Sequence, residues 1–260
     1  EMKKQHSPLF IRMFGMFILL FIPIYAMFAS IYSTSVELIR KEISQLAESE
    51  ADNFLRNLEG EVQRVESLLY QTVLNDEDIK TLVSIPELDG NFGKTLAINN
   101  VKRVLSTIRY SSSYIADVRI HLPNLDRTIS VSGAYDKMNE QEYQETSYSY
   151  PNRVGLQCLN NYMVIRVSDV VRVDGNPRFT IVVELSDAQI EKKLEELDYL
   201  GSGWTVLKNE DLGYLITTNG NRGPDSKMNA DRTSHAPSTI TIDGEKYLCI
   251  YKENVFLGMS

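Results

Sequence analysis

The sequence predicts an α+β chain with an N-terminal transmembrane helix, a long spine helix and two subdomains built on antiparallel sheets. Three observations predict it. No charged side chain occurs in the 24 residues from Met13 to Val36. Apolar residues then recur at spacings of three and four as far as Val73, the stripe of an amphipathic helix. From Tyr114 the period falls to two, the signature of strands with one buried face.

The uncharged run comes first. About 20 apolar residues cross a bilayer core at 1.5 Å per residue, and the stretch Phe14 to Phe28 is almost wholly apolar. Pro23 falls mid-span, where lipid-embedded helices tolerate a kink. A cleavable signal would carry a core of about 7–15 residues and then small ones, whereas Phe28, Ile31 and Tyr32 crowd this C-terminal end. Lys3, Lys4 and Arg12 precede the run and Glu37 is the first charge after it. The positive-inside rule therefore puts residues 1–12 in the cytoplasm, the span at 13–36 and the remainder outside the cell.

Beyond the span, Ile39, Ile43, Leu46, Phe54, Leu58, Val62, Val65, Leu69 and Val73 mark one helical stripe, with Gly60 the one glycine and no proline. Its lower part, through Glu48–Asp52, is polar and could meet a twin helix in a homodimer; its upper part, from Phe54 onward, reads as the spine for a sheet. Shorter helices are expected at 76–84 and 93–108. Strands are expected at 114–122, 128–132, 162–173 and 178–185, the last two joined by the hairpin signal Asp174-Gly175-Asn176-Pro177. Ser186 with Asp187 opens a further helix as its cap. Short strands follow at 204–207, 214–218, 238–242 and 246–251, with a Gly/Asn/Ser/Pro-rich loop at 219–237. The larger sheet belongs to residues 37–185 and the smaller to 186–260. The chain is expected to be a piece of a longer protein.

Composition narrows the function. With 43% hydrophobic residues the chain can bury a core. Its net charge is −8, and because the first twelve residues are net basic the exported part is more acidic still. Such a surface repels phosphate backbones, which argues against nucleic-acid binding. Cys158 and Cys249 are too few for a disulfide scaffold; two buried thiols or one bridge both remain open. His6, His121 and His235 are too scattered to share a metal, and no paired-ligand spacing occurs. Gly201-Ser202-Gly203 lacks the preceding strand that a nucleophile elbow needs. No catalytic residue, metal site or cofactor is expected.

The alternation in the first sheet supplies the candidate site. In strand 114–122, Ala116, Val118, Ile120 and Leu122 share one face while Asp117, Arg119 and His121 share the other. Ser130 and Ser132 alternate with Ile129 and Val131, and Arg166 with Ile165 and Val167. One face can pack on the spine while the other gathers Arg119, His121, Ser130, Ser132 and Arg166, with Tyr110, Tyr114, Tyr135 and Tyr162 near in sequence. A wall of aromatic groups with a few fixed polar ones is how a small-ligand pocket is built. The same face could instead be merely solvated.

The layout resembles the double Cache sensor regions of bacterial receptors, in which PAS-like sheets hang on one long N-terminal helix. Within them it is most similar to sensor histidine kinases of the YesM type. The likeness is carried by Phe10-Ile11-Arg12-Met13-Phe14 through Phe21-Ile22-Pro23, by Glu61–Leu74 with Asp78-Ile79, by Asn100 to Leu105, by Tyr114–Leu122 and by Ile129 to Gly133. The resemblance implies an extracellular ligand-sensing region of a two-component receptor in a bacterial cell membrane, with its pocket on the polar side of the distal sheet. It also implies a saccharide, or a solute-binding protein loaded with one, as first partner. Membrane-bound AraC-type regulators and chemoreceptors share the layout, and no phosphoacceptor-histidine or ATP-binding box occurs in this chain.

Overall fold

The structure is a computed structural model that describes residues 8–73, 76–84, 91–133, 135–148, 154–169, 172–173, 176–198, 203–218, 237–242, 244–254 and 257. His6, His235, Asp174-Gly175, Gly201-Ser202 and nearly all of the expected loop at 219–237 lie outside the described residues. The chain divides into two units, Glu1–Ser49 and Glu50–Ser260, and the expected boundary at 185/186 falls within the second.

The described residues of the first unit are helical. Helix α1 runs Pro8–Val73, unbroken through Pro23. It is long and apolar enough to cross a membrane, and its most apolar window is nowhere buried. The large apolar side chains from Met13 to Tyr32 stand exposed, and so do Leu38, Ile39, Ile43 and Leu46 farther along.

In the second unit the same helix changes character. Phe54, Leu55, Leu58, Val62, Val65 and Leu69 are buried, one stripe of one helix face. Helix α2 (Glu77–Ser84) is capped by Asp76, whose Oδ1 accepts from the Ile79 amide at 2.9 Å. Helix α3 (Asn91–Arg109) buries Ala97, Val101, Leu105 and Ile108 in the same core.

Strands β1 (Ile115–Leu122), β2 (Arg127–Ser130) and β3 (Tyr135–Lys137) follow. Next come helix α4 (Glu140–Tyr148), β4 (Val154–Leu159) and β5 (Tyr162–Ser168). A small hairpin, β6 (Arg172–Val173) with β7 (Asn176–Pro177), precedes β8 (Thr180–Leu185). One six-stranded sheet results, in the order β3-β2-β1-β8-β5-β4 and antiparallel throughout. Sequence periodicity did not reveal β3, α4 or β4. The β4–β5 turn is Asn160-Asn161, both at positive φ (49° and 73°), as a two-residue hairpin of the I′ type demands.

Helix α5 (Asp187–Glu195) begins as expected at Ser186, whose hydroxyl accepts from the Gln189 amide. Strands β9 (Val206–Asn209) and β10 (Tyr214–Thr217) form one pair, β11 (Ser238–Ile242) and β12 (Glu245–Cys249) another. Leu207, Tyr214 and Leu257 join the core that holds the α1 stripe. Asn254 ties the chain's last described segment back to α1, its Nδ2 donating to Glu59 Oε2 at 2.8 Å. The fold is α+β. Cys158 and Cys249 are both free thiols, and burial pushes each above the ordinary thiol range.

Candidate functional site

Register decides which residues share a face of the sheet. Ser130, Arg119, Val182, Arg166 and Gly155 are cross-strand partners in one row. Thr128, His121, Thr180 and Ser168 form the row beside it, and Asp117, Glu184, Val164 and Gln157 the row on the other side. The alternate positions, Val118, Ile120, Ile129, Ile165, Val167, Ile181 and Val183, all belong to the main core. The sheet therefore has one apolar and one polar face, as period-two patterning requires.

A bulge between Ile115 and Asp117 adjusts the start of β1. Ile115 takes the core position there and Ala116 is the extra, half-buried residue, which corrects the expectation that Ala116 sits with Val118 on the core side.

Far from being solvated, the polar face is closed over. His121, Arg166 and Thr180 are completely buried, and Ser168 and Gln157 nearly so. The cover is α4, which sits against β7 and β8. Asn139 caps it, accepting from the Glu142 amide at 3.2 Å, and Glu140 and Glu142 lie in its positive first turn. Its buried stripe is Tyr143, Thr146 and Ser147, helical in spacing but mostly polar.

Polar contacts lace this cover to the sheet. Arg119 donates from Nε to Glu142 and from Nη1 to Glu184 Oε2 at 2.7 Å, with Asp117 at 3.9 Å. Ser147 and Ser168 each lie 3.1 Å from the Thr180 hydroxyl. Gln157 Nε2 donates to the Glu145 carbonyl at 3.2 Å. The Tyr143 hydroxyl adds a bond to the Pro177 carbonyl at 3.1 Å.

His121 stands at the centre. Its Nδ1 is 2.9 Å from Thr128 Oγ1, and its ring meets Tyr143 edge-on at 6.2 Å between centroids. Nε2 lies 3.5 Å from Glu142 Oε1, an ion-pair distance too long for a good hydrogen bond. Burial works to raise the Glu142 carboxyl, but His121 and the Arg119 charge outweigh it and hold the group below the ordinary carboxylate range. Burial likewise opposes the Arg119 charge, and Glu184 and Glu142 overcome it.

The nine expected site residues fall in four places. Arg119, His121, Ser130 and Arg166 share the polar face, although Ser130 spends its hydroxyl on the Gly133 amide at 2.9 Å. A Cβ at Gly133 would collide with that hydroxyl, so a larger residue here would turn Ser130 away from the amide it now meets. Tyr162 is at the far end of the face, packed with Leu159, Val164 and Val182.

Ser132 lies past the end of β2, exposed, with its backbone amide bonded to Asp117. Tyr135 packs on the apolar side opposite Ile129, and Tyr114 also packs against that core. Ser132, Tyr135 and Tyr114 therefore do not join the polar face; for Ser132 the reason is the bend at 131–133, which ends β2 before that residue can alternate. Tyr110, 75% exposed, lines a separate cleft beyond α3. Sequence reasoning missed Glu142, Tyr143, Thr146 and Ser147; the readable signal was Asn139 before two acids, followed by positions 143, 146 and 147.

Among the described residues no group of three or more His, Cys, Asp or Glu could hold a metal. No protein-family model matches the sequence, and no curated protein matches it. Among solved structures the chain is similar to the sensory domain of the Campylobacter jejuni chemoreceptor Tlp3 (CcmL). There the identity is 17% and the TM-score 0.39, over 78% of this chain and 90% of that one. It is also similar to the ligand-binding domain of Mlp24 with asparagine, at 13% identity and a TM-score of 0.45 over 84% of this chain and 92% of that one. Likeness at this level fixes neither a ligand nor an output for this chain.

Proposed function

We propose that the chain is the ligand-sensing region of a membrane-anchored bacterial receptor, of the Cache layout. In this reading residues 13–36 of α1 cross the membrane once, the N-terminus is cytoplasmic, and the sheet lies outside the cell. The observation that carries the reading is the closed polar face: a buried guanidinium and a buried imidazole under a short helix held mainly by polar contacts. Burying such groups costs several kcal/mol unless they are well partnered, and a structural core of this size would be cheaper built from Val and Ile. A removable polar cover over directional donors instead suits a small polar ligand.

The ligand we favour is a saccharide, delivered free or by a solute-binding protein; a small acid, amino acid or peptide is the alternative within the same chemistry. The exposed apolar residues Leu38, Ile39, Ile43 and Leu46 favour a second copy of α1 as partner, so that ligand binding shifts a population of helix-pair arrangements and passes the change across the membrane. The output we favour is a protein-histidine kinase feeding a phosphorelay. An AraC-type regulator or a chemoreceptor would use the same input, and the chain itself performs no catalysis.

The test is a thermal-shift panel of sugars, sugar acids and amino acids on the full chain in lipid nanodiscs. At least one compound raises Tm, as any ligand of the native state must. That rise disappears in Thr180→Val, which alters the floor of the polar face. A rise that persists unchanged in Thr180→Val would move the ligand elsewhere. Protease added to intact cells should cleave the region after residue 36, and its full protection would overturn the topology.

A further inference from the structure

Away from the polar face, a cleft of about 650 Å3 opens where the end of α3, the start of β1 and the start of α5 meet. The backbone draws these three together: the Ser186 amide donates to the Tyr114 carbonyl at 2.8 Å, and Ile115 pairs with Leu185. Its volume lies in the range of small-molecule pockets, about 300–1,000 Å3.

The lining has a definite chemistry. Arg109 is held at two points: its Nε donates to the Ala116 carbonyl at 2.9 Å, and its guanidinium lies over the Tyr110 ring at 5.1 Å. Ala116 is the bulge residue of β1, so the irregularity in the strand helps to fix this guanidinium. Arg109 has its terminal nitrogens left for a ligand. Ser113 and Gln189 line the cleft nearby, while Ile115 and Ala116 supply an apolar floor.

Among the described residues that line the cleft none is a carboxylate, in a chain whose net charge is −8; Glu61 stands behind the lining, its Oε1 accepting from the Ser112 hydroxyl at 3.3 Å. The two acids adjacent in sequence are engaged elsewhere: Asp187 accepts from the Tyr214 hydroxyl at 2.8 Å and Asp117 from the Ser132 amide at 3.0 Å. Tyr110 stands at the mouth with 75% of its surface exposed. A large aromatic ring left in water beside a fixed guanidinium is a platform for a flat partner.

We propose that this cleft is a second binding site, for a small organic carboxylate with a flat apolar body. The carboxylate pairs with Arg109, whose planar fork matches it, and takes further donors from Ser113 and Gln189. The flat body lies along Tyr110. A bound molecule bridges α3 to α5 and so stiffens the passage from the large sheet to the C-terminal strands. This site is independent of the polar face and of whatever ligand that face takes.

The experiment titrates benzoate into the full chain in lipid nanodiscs by calorimetry, with benzamide and inorganic phosphate as comparators. Benzoate is expected to bind saturably, benzamide not at all and phosphate more weakly than benzoate. Gln189→Glu, which adds a carboxylate to the lining and removes no framework bond, should weaken benzoate about tenfold or more by like-charge repulsion. Tyr110→Ala, at an exposed position, should weaken it severalfold. Thr180→Val, on the other face, should leave it unchanged. The proposal is overturned by absence of saturable benzoate binding, by equal binding of benzamide or phosphate, or by Gln189→Glu binding as tightly as the parent chain.

Discussion

The two faces of the six-stranded sheet both bury side chains but hold them by different physics. On one, Val118, Ile120, Ile165, Val167, Ile181 and Val183 merge with the stripes of α1 and α3 in a single apolar core. On the other, Arg119 and His121 meet Glu142 of α4, and Thr180, paired within the sheet with Ser168, meets Ser147 of α4. Apolar contact is non-directional, and its favourable free energy grows with area. Polar contact in a dry site is strong only while every partner is in place, and becomes costly when one is withdrawn. The apolar face thus suits a fixed scaffold, and the polar face suits a cover that one ligand can exchange for another set of partners.

The largest effect should come from the scaffold face. Ile120→Ala removes a completely buried side chain of β1 from the main core and should cost about 2–5 kcal/mol, transfer and cavity together. Denaturant unfolding would show the midpoint falling with the slope unchanged. A loss well under 1 kcal/mol would mean that the two faces are not energetically distinct in the way argued.

Second is Glu142→Gln on the cover, which keeps the shape and removes the charge shared by Arg119 and His121. Arg119 retains Glu184, so the loss should be about 1–3 kcal/mol rather than that of a fully orphaned cation. The variant also carries a pH signature. Glu142 titrates below its ordinary value in the folded chain, so its stabilising contribution is fully present above the ordinary carboxylate range. That contribution is lost as pH falls through the depressed folded value. Stability against pH should therefore drop on the acid side, with a shallower slope in Glu142→Gln. Equal acid slopes in the two proteins would remove Glu142 from the account.

The difference between the faces also explains what the sequence disclosed. Apolar faces announce themselves by period: the α1 stripe from Phe54 to Leu69 and the alternation through Val118, Ile120 and Leu122 were readable because hydrophobic burial leaves a pattern. A polar cover leaves none. The inward positions of α4 are Tyr, Thr and Ser, which a hydropathy reading takes for an exposed loop, and only the Asn139 cap betrays a helix start. Ala116 was placed on the wrong face because a bulge resets strand phase, and nearness in sequence alone could not say that Tyr135 packs on the apolar side. Lower α1 showed the opposite trap. Ile39, Ile43 and Leu46 continue the apolar period yet stand exposed, so the period runs on beyond the part of the helix that the chain itself buries.

The smallest effect sharpens the comparison most. Ser147→Ala removes one of the two hydroxyls that meet Thr180, and Thr180 keeps Ser168, so the cost should be about 0.5–1.5 kcal/mol. Ser168→Ala should cost a similar amount for the same reason. Combining both with Thr180→Val deletes the whole hydroxyl cluster and leaves no donor unpaired within it. If directional pairing is what holds this patch, the triple variant should be less destabilised than the sum of its three single changes, a coupling that a thermodynamic cycle measures directly. The patch would then behave like the apolar side of the same strands. Strict additivity would mean that these hydroxyls act one by one and that the polar face is not a cooperative unit.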